Sequence, residues 1–290
     1  MRIFDCFTFF NELDLLELRI KLLDNVVDYF VVVESNLTHT GKEKPYYFET
    51  AKERFSKWNK KIIYIPITQS VEGLVFEDNI ISYTPTSTAW QLENYQRNSL
   101  SAINHLVSDN DKVLVGDLDE IPNPFILKKL QLPEEPLVFS MLFHYYFLNC
   151  QNVGEERWWG GSVISNGKFY KQTAPQTLRD NRNQYKRIKK AGWHFSYLGG
   201  IEKIKYKIQS FAHTEYNKKE YLEDERIFKA ITEGKDLFGR PGIFYKFYSP
   251  YWYPSFLRKI MLEYPSLIHY KKEDNFIEKI YYSLSGKFQK

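Results

Sequence analysis

Apolar positions in the first third of the chain alternate between short continuous runs and helical spacing. Residues 2–7 form a β-rich apolar run, followed by Asn11 as the expected helix N-cap. Leu13, Leu16, Ile20, Leu23 and Val27 then recur with the period of one helix face. Residues 29–33 are a continuous apolar run closed by Glu34-Ser35-Asn36, the pattern of a parallel strand buried on both faces. A third strand is expected over 61–67, and 88–107 carries the longest helical pattern, with Trp90, Tyr95 and Leu100 among its large apolar residues. Residues 112–115 form another apolar strand, running into Gly116-Asp117-Leu118-Asp119-Glu120-Ile121-Pro122. Strands alternating with helices predict a doubly wound α/β sheet. Such sheets bind ligands beyond the carboxyl ends of their strands, where Glu34, Asp117 and Asp119 fall.

From Pro136 the pattern changes. Residues 137–146 read as an aromatic strand, 149–161 as a polar-aromatic loop with Trp158-Trp159-Gly160-Gly161, and 168–173 as a further strand. Residues 179–190 hold six basic side chains and one acid, Asp180, suiting either a solvated loop or a diphosphate clamp. A strand is expected over 193–197, a short helix over 201–210 after Gly199-Gly200, and 212–216 leads into a charged helix. The predicted organisation is a domain over 1–240 with a C-terminal extension over 241–290.

Composition narrows the function. The net charge is only +4 over 290 residues, too balanced for a dedicated nucleic-acid binder. All of that charge lies in 241–290, where 14 of 50 residues are aromatic. Rings beside cations suit a peripheral membrane surface, or they pack the extension against the domain. Cys6 and Cys150 are too few for a disulfide framework or a four-cysteine metal site. No apolar stretch approaches the ~18 residues of a membrane span. An acid at position 5 and no basic-then-apolar start argue against a secretory signal. A cytoplasmic protein is expected, peripheral at the inner face of the membrane through 241–290.

Asp117-Leu118-Asp119-Glu120 is the sharpest feature. Two carboxylates one residue apart at a strand end can share a hard divalent cation such as Mn²⁺ or Mg²⁺, which takes oxygen ligands. Such a cation neutralises a departing phosphate; the alternative is an acidic turn ended by Pro122. There is no G-x-x-x-x-G-K-[ST], no G-x-G-x-x-G after the first strand, no H-E-x-x-H and no G-x-S-x-G. His213-Thr214-Glu215 resembles the H-x-E of zinc deaminases, but their P-C-x-x-C is absent. His194 and His213 suit either core or site positions. Trp158 and Trp159 can stack on a sugar or pack under a loop. Glu202 reads as an ionised acid at a helix start.

Five blocks then occur in one order over residues 4–216. They are Phe4-Asp5-Cys6-Phe7 with Phe10-Asn11-Glu12-Leu13-Asp14-Leu15-Leu16-Glu17-Leu18-Arg19; Val27-Asp28-Tyr29-Phe30-Val31-Val32-Val33-Glu34-Ser35-Asn36; Gln96-Arg97-Asn98; Asp117-Leu118-Asp119-Glu120-Ile121-Pro122; and Ala191-Gly192-Trp193-His194-Phe195-Ser196. Together they resemble the family 17 glycosyltransferases. The resemblance implies a GT-A type, Rossmann-like, mostly parallel sheet flanked by helices. It also implies a UDP-sugar donor (UDP-N-acetylglucosamine), a glycan acceptor, a divalent metal and inversion at the anomeric carbon. On that basis Asp117, Asp119 and His213 are expected at the metal, and Phe7, Asn11, Glu34, Arg97 and Asp117 at the donor. Trp158, Trp159 and His194 are expected at the acceptor, and Glu202 as base with Glu215 as second choice. Two rivals are a nucleotidyltransferase with paired acids and a divalent ion, and a non-catalytic glycan-binding protein using its aromatics.

Overall fold

The computed structural model describes residues 1–77 and 82–270. Its first half is β1 (Ile3–Phe9), α1 (Leu13–Leu23), β2 (Tyr29–Ser35), α2 (Tyr47–Thr50), β3 (Ile62–Ile67), α3 (Thr88–Asn98) and β4 (Lys112–Asp117). The second half continues with β5 (Glu120–Pro122), α4 (Pro124–Lys129), β6 (Leu137–Tyr145), β7 (Cys150–Asn152), β8 (Trp158–Asn166), α5 (Gly167–Gln172) and α6 (Pro175–Asp180). Then come β9 (Lys186–Ser196), α7 (Ile201–Ser210), α8 (Asp224–Glu233), β10 (Tyr245–Phe247) and α9 (Ser255–Met261).

One ten-stranded sheet runs β10-β7-β6-β8-β4-β1-β2-β3, with β9 joined to β6 and β5. β4, β1, β2 and β3 pair in parallel, as their unbroken apolar runs predict. β8 turns the sheet antiparallel by pairing with β4 and β6. In β1, Phe7 and Phe9 face a core shared with α1 and α9, while Phe4 and Cys6 face one shared with Leu100, Tyr170 and Leu178. Helices therefore cover both faces, the α/β class expected. A third core joins Phe143 and Tyr145 to α7, α8 and Tyr245.

Several local expectations are corrected. Glu12, not Asn11, precedes α1, and no side chain caps it. The pattern over 88–107 does not stay α-helical: after Asn98 it tightens to a 3₁₀ turn over Ser99–Ile103. There Ser99 and Ser101 hydroxyls donate to the Tyr95 and Asn98 carbonyls, at 2.9 and 2.7 Å, in competition with helical pairing. The loop expected over 149–161 contains β7 and the start of β8, because its glycines lie where other elements press close. A Cβ on Gly161 would meet Met141 Sδ at 2.7 Å. The strand expected over 168–173 is instead the helix α5, since the Asn166 side chain accepts from the Phe169 N–H at 2.8 Å and caps it.

Nor does the chain part company with its domain at 240. β10 adds a strand beside β7, and α9 packs on α1 with Leu257 and Met261 fully buried. Burial of these apolar side chains, Tyr245 and Tyr253 included, takes them away from any membrane-facing role. Phe244 and Trp252 remain exposed. Residues 271–290 of the expected extension lie outside the described residues. Among the described residues no helix is long and apolar enough to cross a membrane.

Candidate active site

The acid loop is held from below by a buried ion pair. Arg19 on α1 and Asp5 on β1 are both fully buried, with Nη2 2.6 Å from Oδ1 and Nε 2.8 Å from Oδ2. The remaining Arg19 nitrogen, Nη1, donates to the carbonyls of Asp117, Leu118 and Glu120, each at 2.9 Å. A bidentate guanidinium with one nitrogen left over can fix a turn in this way. Gly116 makes room for the same turn: a Cβ there would meet Ser162 Oγ at 2.1 Å.

The three acids of the loop then point to different partners. Asp117 is clamped on both oxygens, by Arg97 Nη2 at 2.8 Å and Arg179 Nη2 at 2.7 Å. Burial pushes its carboxyl up, but Arg179 and Arg97 outweigh burial and hold it well below the usual range. Asp119 has looser partners, Lys207 Nζ at 3.3 Å and His194 Nε2 at 3.4 Å. Burial raises its carboxyl too, yet Lys207 and His194 bring it down to about 2. Glu120 turns inward, accepting from Arg179 Nη2 at 2.6 Å, Trp159 Nε1 at 2.7 Å and Ser162 Oγ at 3.2 Å.

Asp117 and Asp119 line a cavity of about 910 Å³ at the carboxyl ends of β1 and β4. Gln96 fastens α3 to this rim by donating to the carbonyls of Phe9 and Val33, at 3.2 and 3.1 Å, which places Arg97 beside Asp117. One wall is aromatic. His194, Phe143 and Trp159 form a ring cluster, with the His194 centroid 4.9 Å from each of the other two and those two 5.7 Å apart. Opposite chemistry comes from His213, whose ring meets Trp90 edge-on at 4.9 Å and whose Nδ1 lies 2.7 Å from Glu215 Oε1.

The cavity gathers Arg97, Asp117, Asp119, Trp159, His194 and His213 from the expected residues. Others fall elsewhere. Phe7 is wholly buried under the Arg19 guanidinium, 4.4 Å from its ring; its neighbours Thr8 and Phe9 reach the cavity instead. Asn11 lies in a small adjoining hollow with Lys203 and Lys207. Glu34 is buried and consumed by Lys44 Nζ at 2.9 Å, the Tyr47 and Phe48 N–H groups at 2.6 and 3.0 Å, and Tyr64 Oη at 3.0 Å. Trp158 does not line the cavity, because successive strand residues face opposite sides and Trp159 takes the inner one. Glu202 is the clearest miss: its side chain is 84% exposed, beside Lys205 and outside the cavity, since the first turn of α7 faces solvent there. Glu215 is buried behind His213 rather than on the cavity surface.

For a divalent cation, each Asp117 oxygen already accepts from a guanidinium, and no three His, Cys, Asp or Glu side chains converge among the described residues. His213 joins no group of three such side chains that could hold a metal ion among the described residues. Asp119 does fit. Both its oxygens have only long contacts on the cavity side, and small hard cations commonly take one or two carboxylates and complete their shell with substrate phosphate and water. Sequence reasoning did not single out Asp5, Arg19 or Glu120 as site residues, and took Arg179 only as the start of a basic run that could clamp a diphosphate. Asp5, Arg19 and Glu120 do lie inside the resembling blocks, and Glu120 inside the acidic motif as well.

The family model of glycosyltransferase family 17 matches residues 1–249, beyond the last of those blocks. The β-1,4-mannosyl-glycoprotein 4-β-N-acetylglucosaminyltransferase of Rattus norvegicus is 25% identical over 261 residues, covering 79% of this chain and 46% of that protein. The Homo sapiens protein of the same name is 24% identical over 252 residues, covering 76% and 45%. This chain thus spans a little under half the length of these curated relatives. Among solved structures, the glycosyltransferase GlyE of Streptococcus pneumoniae TIGR4 has a TM-score of 0.33 and 14% identity, covering 92% of this chain and 61% of that one. HddC from Yersinia pseudotuberculosis has a TM-score of 0.36 and 11% identity, covering 66% and 91%.

Proposed function

This chain belongs to glycosyltransferase family 17, and from that premise we propose that its cavity transfers a sugar, N-acetylglucosamine, from a UDP-sugar to a glycan hydroxyl. The observation that supports this most is the acid loop at the end of β4, held by Arg19 and opening on a cavity with an aromatic wall. Apolar ring faces stack on sugars, and strand-end acids in an α/β sheet sit where its ligands bind. In this reading Asp117, fixed by two guanidinium groups, is a rigid acceptor for the nucleotide's hydroxyl groups. Asp119 would hold a divalent cation, which when bound supplies positive charge against the leaving diphosphate.

The acceptor hydroxyl needs a proton acceptor. A carboxylate only accepts, so the His213 Nδ1 facing Glu215 carries the hydrogen and Nε2 is left free to take a proton. The acceptor oxygen then attacks the anomeric carbon, the bond from that carbon to the diphosphate oxygen breaks, and UDP leaves. The hydroxyl proton goes to His213, whose positive charge Glu215 stabilises. Attack opposite the leaving group inverts the anomeric centre.

The test is a release screen with UDP-, GDP- and CMP-sugars in Mn²⁺ or chelator, with wild type and Glu215→Gln. UDP release that needs metal is expected, with transfer reduced roughly 100-fold in Glu215→Gln while donor binding persists. Release of pyrophosphate from a nucleoside triphosphate and a sugar phosphate would instead make it a nucleotidyltransferase. Sugar binding without any turnover would leave a glycan-binding protein.

A further inference from the structure

Five basic side chains line the cavity, and four of them are already committed. Arg97 pairs with Asp117 and Glu93, Arg179 with Asp117 and Glu120, Lys207 with Asp119, and Arg240 with Asp236. Arg182 is different. No carboxylate of the described residues lies within ion-pair distance of it; its Nη1 donates to the Arg179 carbonyl at 3.2 Å, and its guanidinium lies 5.7 Å from the Trp159 ring centroid. We propose that Arg182 grips the diphosphate of the sugar-nucleotide donor, a role that rests on the donor reading above.

Placement supports this. Arg182 sits in the single 3₁₀ turn Asn181–Asn183 that follows α6, the helix whose Arg179 clamps Asp117 and Glu120. Its charge is thereby set beside the acid loop, on the side of the cavity walled by Trp159. Burial and the neighbouring Arg179 charge weaken the hold of Arg182 on its proton more than the charges of Glu120 and Asp117 strengthen it, so an anion placed there relieves a partly desolvated cation that has no carboxylate in direct contact among the described residues. A guanidinium stays ionised in proteins and offers two parallel N–H donors, the geometry that a phosphate accepts. The rest of the basic run points away: Lys186, Arg187, Lys189 and Lys190 are exposed along β9 and do not line the cavity. Of six basic residues that look alike in sequence, Arg179 is spent on the acids and Arg182 is left for the ligand.

Titration calorimetry with UDP, GDP and CDP, each with Mn²⁺, and with uridine alone separates the possibilities. Wild type is expected to bind UDP, and Arg182→Gln to bind it about 10- to 100-fold more weakly, the loss of a charged hydrogen-bond pair. Uridine, which has no phosphate, should bind both proteins equally and so reports that the variant is folded. Arg182→Lys, a point charge without the fork, should fall between them. UDP affinity unchanged in Arg182→Gln would overturn the clamp and leave the donor reading intact. Loss of uridine and UDP affinity together in both variants would make the residue structural and also overturn it. If wild type binds none of the three diphosphates, the donor reading itself falls and takes the clamp with it.

Discussion

Two strand ends of the same sheet carry acids, and they have opposite fates. Glu34 is the penultimate residue of β2 and Asp117 the last of β4, both at the carboxyl edge where an α/β sheet binds its ligands. After Glu34 the chain leads to α2, whose first N–H groups, with Lys44 and Tyr64, fill every direction open to that carboxylate. After Asp117 the chain turns at once into β5. The acids there meet side chains from distant elements, α1, α3, α6 and α7, and stay on a cavity wall. Backbone donors of the segment that follows close off Glu34, whereas Asp117 and Asp119 are left lining the cavity.

The largest effect that could break this contrast lies beneath the acid loop. Arg19→Met removes the partner of a fully buried Asp5 and frees three loop carbonyls, so a loss of about 3–5 kcal/mol is expected. Urea unfolding checks it, and a variant as stable as wild type would mean that the pair does not hold the loop.

A smaller effect sharpens the contrast by pH. Asp119 in the folded protein titrates at about 2, against an ordinary carboxylate value near ~4 in the unfolded chain. Its depressed value contributes stability that is complete above about pH 4 and is lost as pH falls toward 2. The size is about 2 kcal/mol, in the same direction as that from Asp117. Urea midpoints at pH 5 and pH 3 should therefore converge in Asp119→Asn relative to wild type. An unchanged pH slope in the variant would show that Asp119 is not held ionised by Lys207 and His194.

Much of this was legible in the sequence, and the gaps have one physical origin. Buried parallel strands announce themselves through continuous apolar runs, and the helix Ile201–Ser210 through its own spacing after Gly199-Gly200. The acid pair stood out because its residues are neighbours. Arg19 and Asp117 are 98 residues apart, and no local pattern reports that contact. The same is true of Arg179, which reads as one cation in a basic run and folds into a buried clamp on Asp117 and Glu120. Glu202 misled for the converse reason: a helix start favours an acid whichever way the helix faces. The helix at 167–172 shows tertiary and capping effects overriding strand propensity, with Asn166 supplying the cap.

The central contrast is tested most directly by measuring transfer per folded molecule, alongside thermal unfolding, for Glu34→Gln and Asp119→Asn in one series. Asp119→Asn should lose about the 2 kcal/mol attributed to its ionised carboxylate at neutral pH, and nearly all metal-dependent transfer per folded molecule. Glu34→Gln should be clearly destabilised, with Lys44 left buried and unpaired, yet retain wild-type transfer per folded molecule. Normal transfer in Asp119→Asn, or a selective loss of transfer in a Glu34→Gln protein of unchanged stability, would contradict the account.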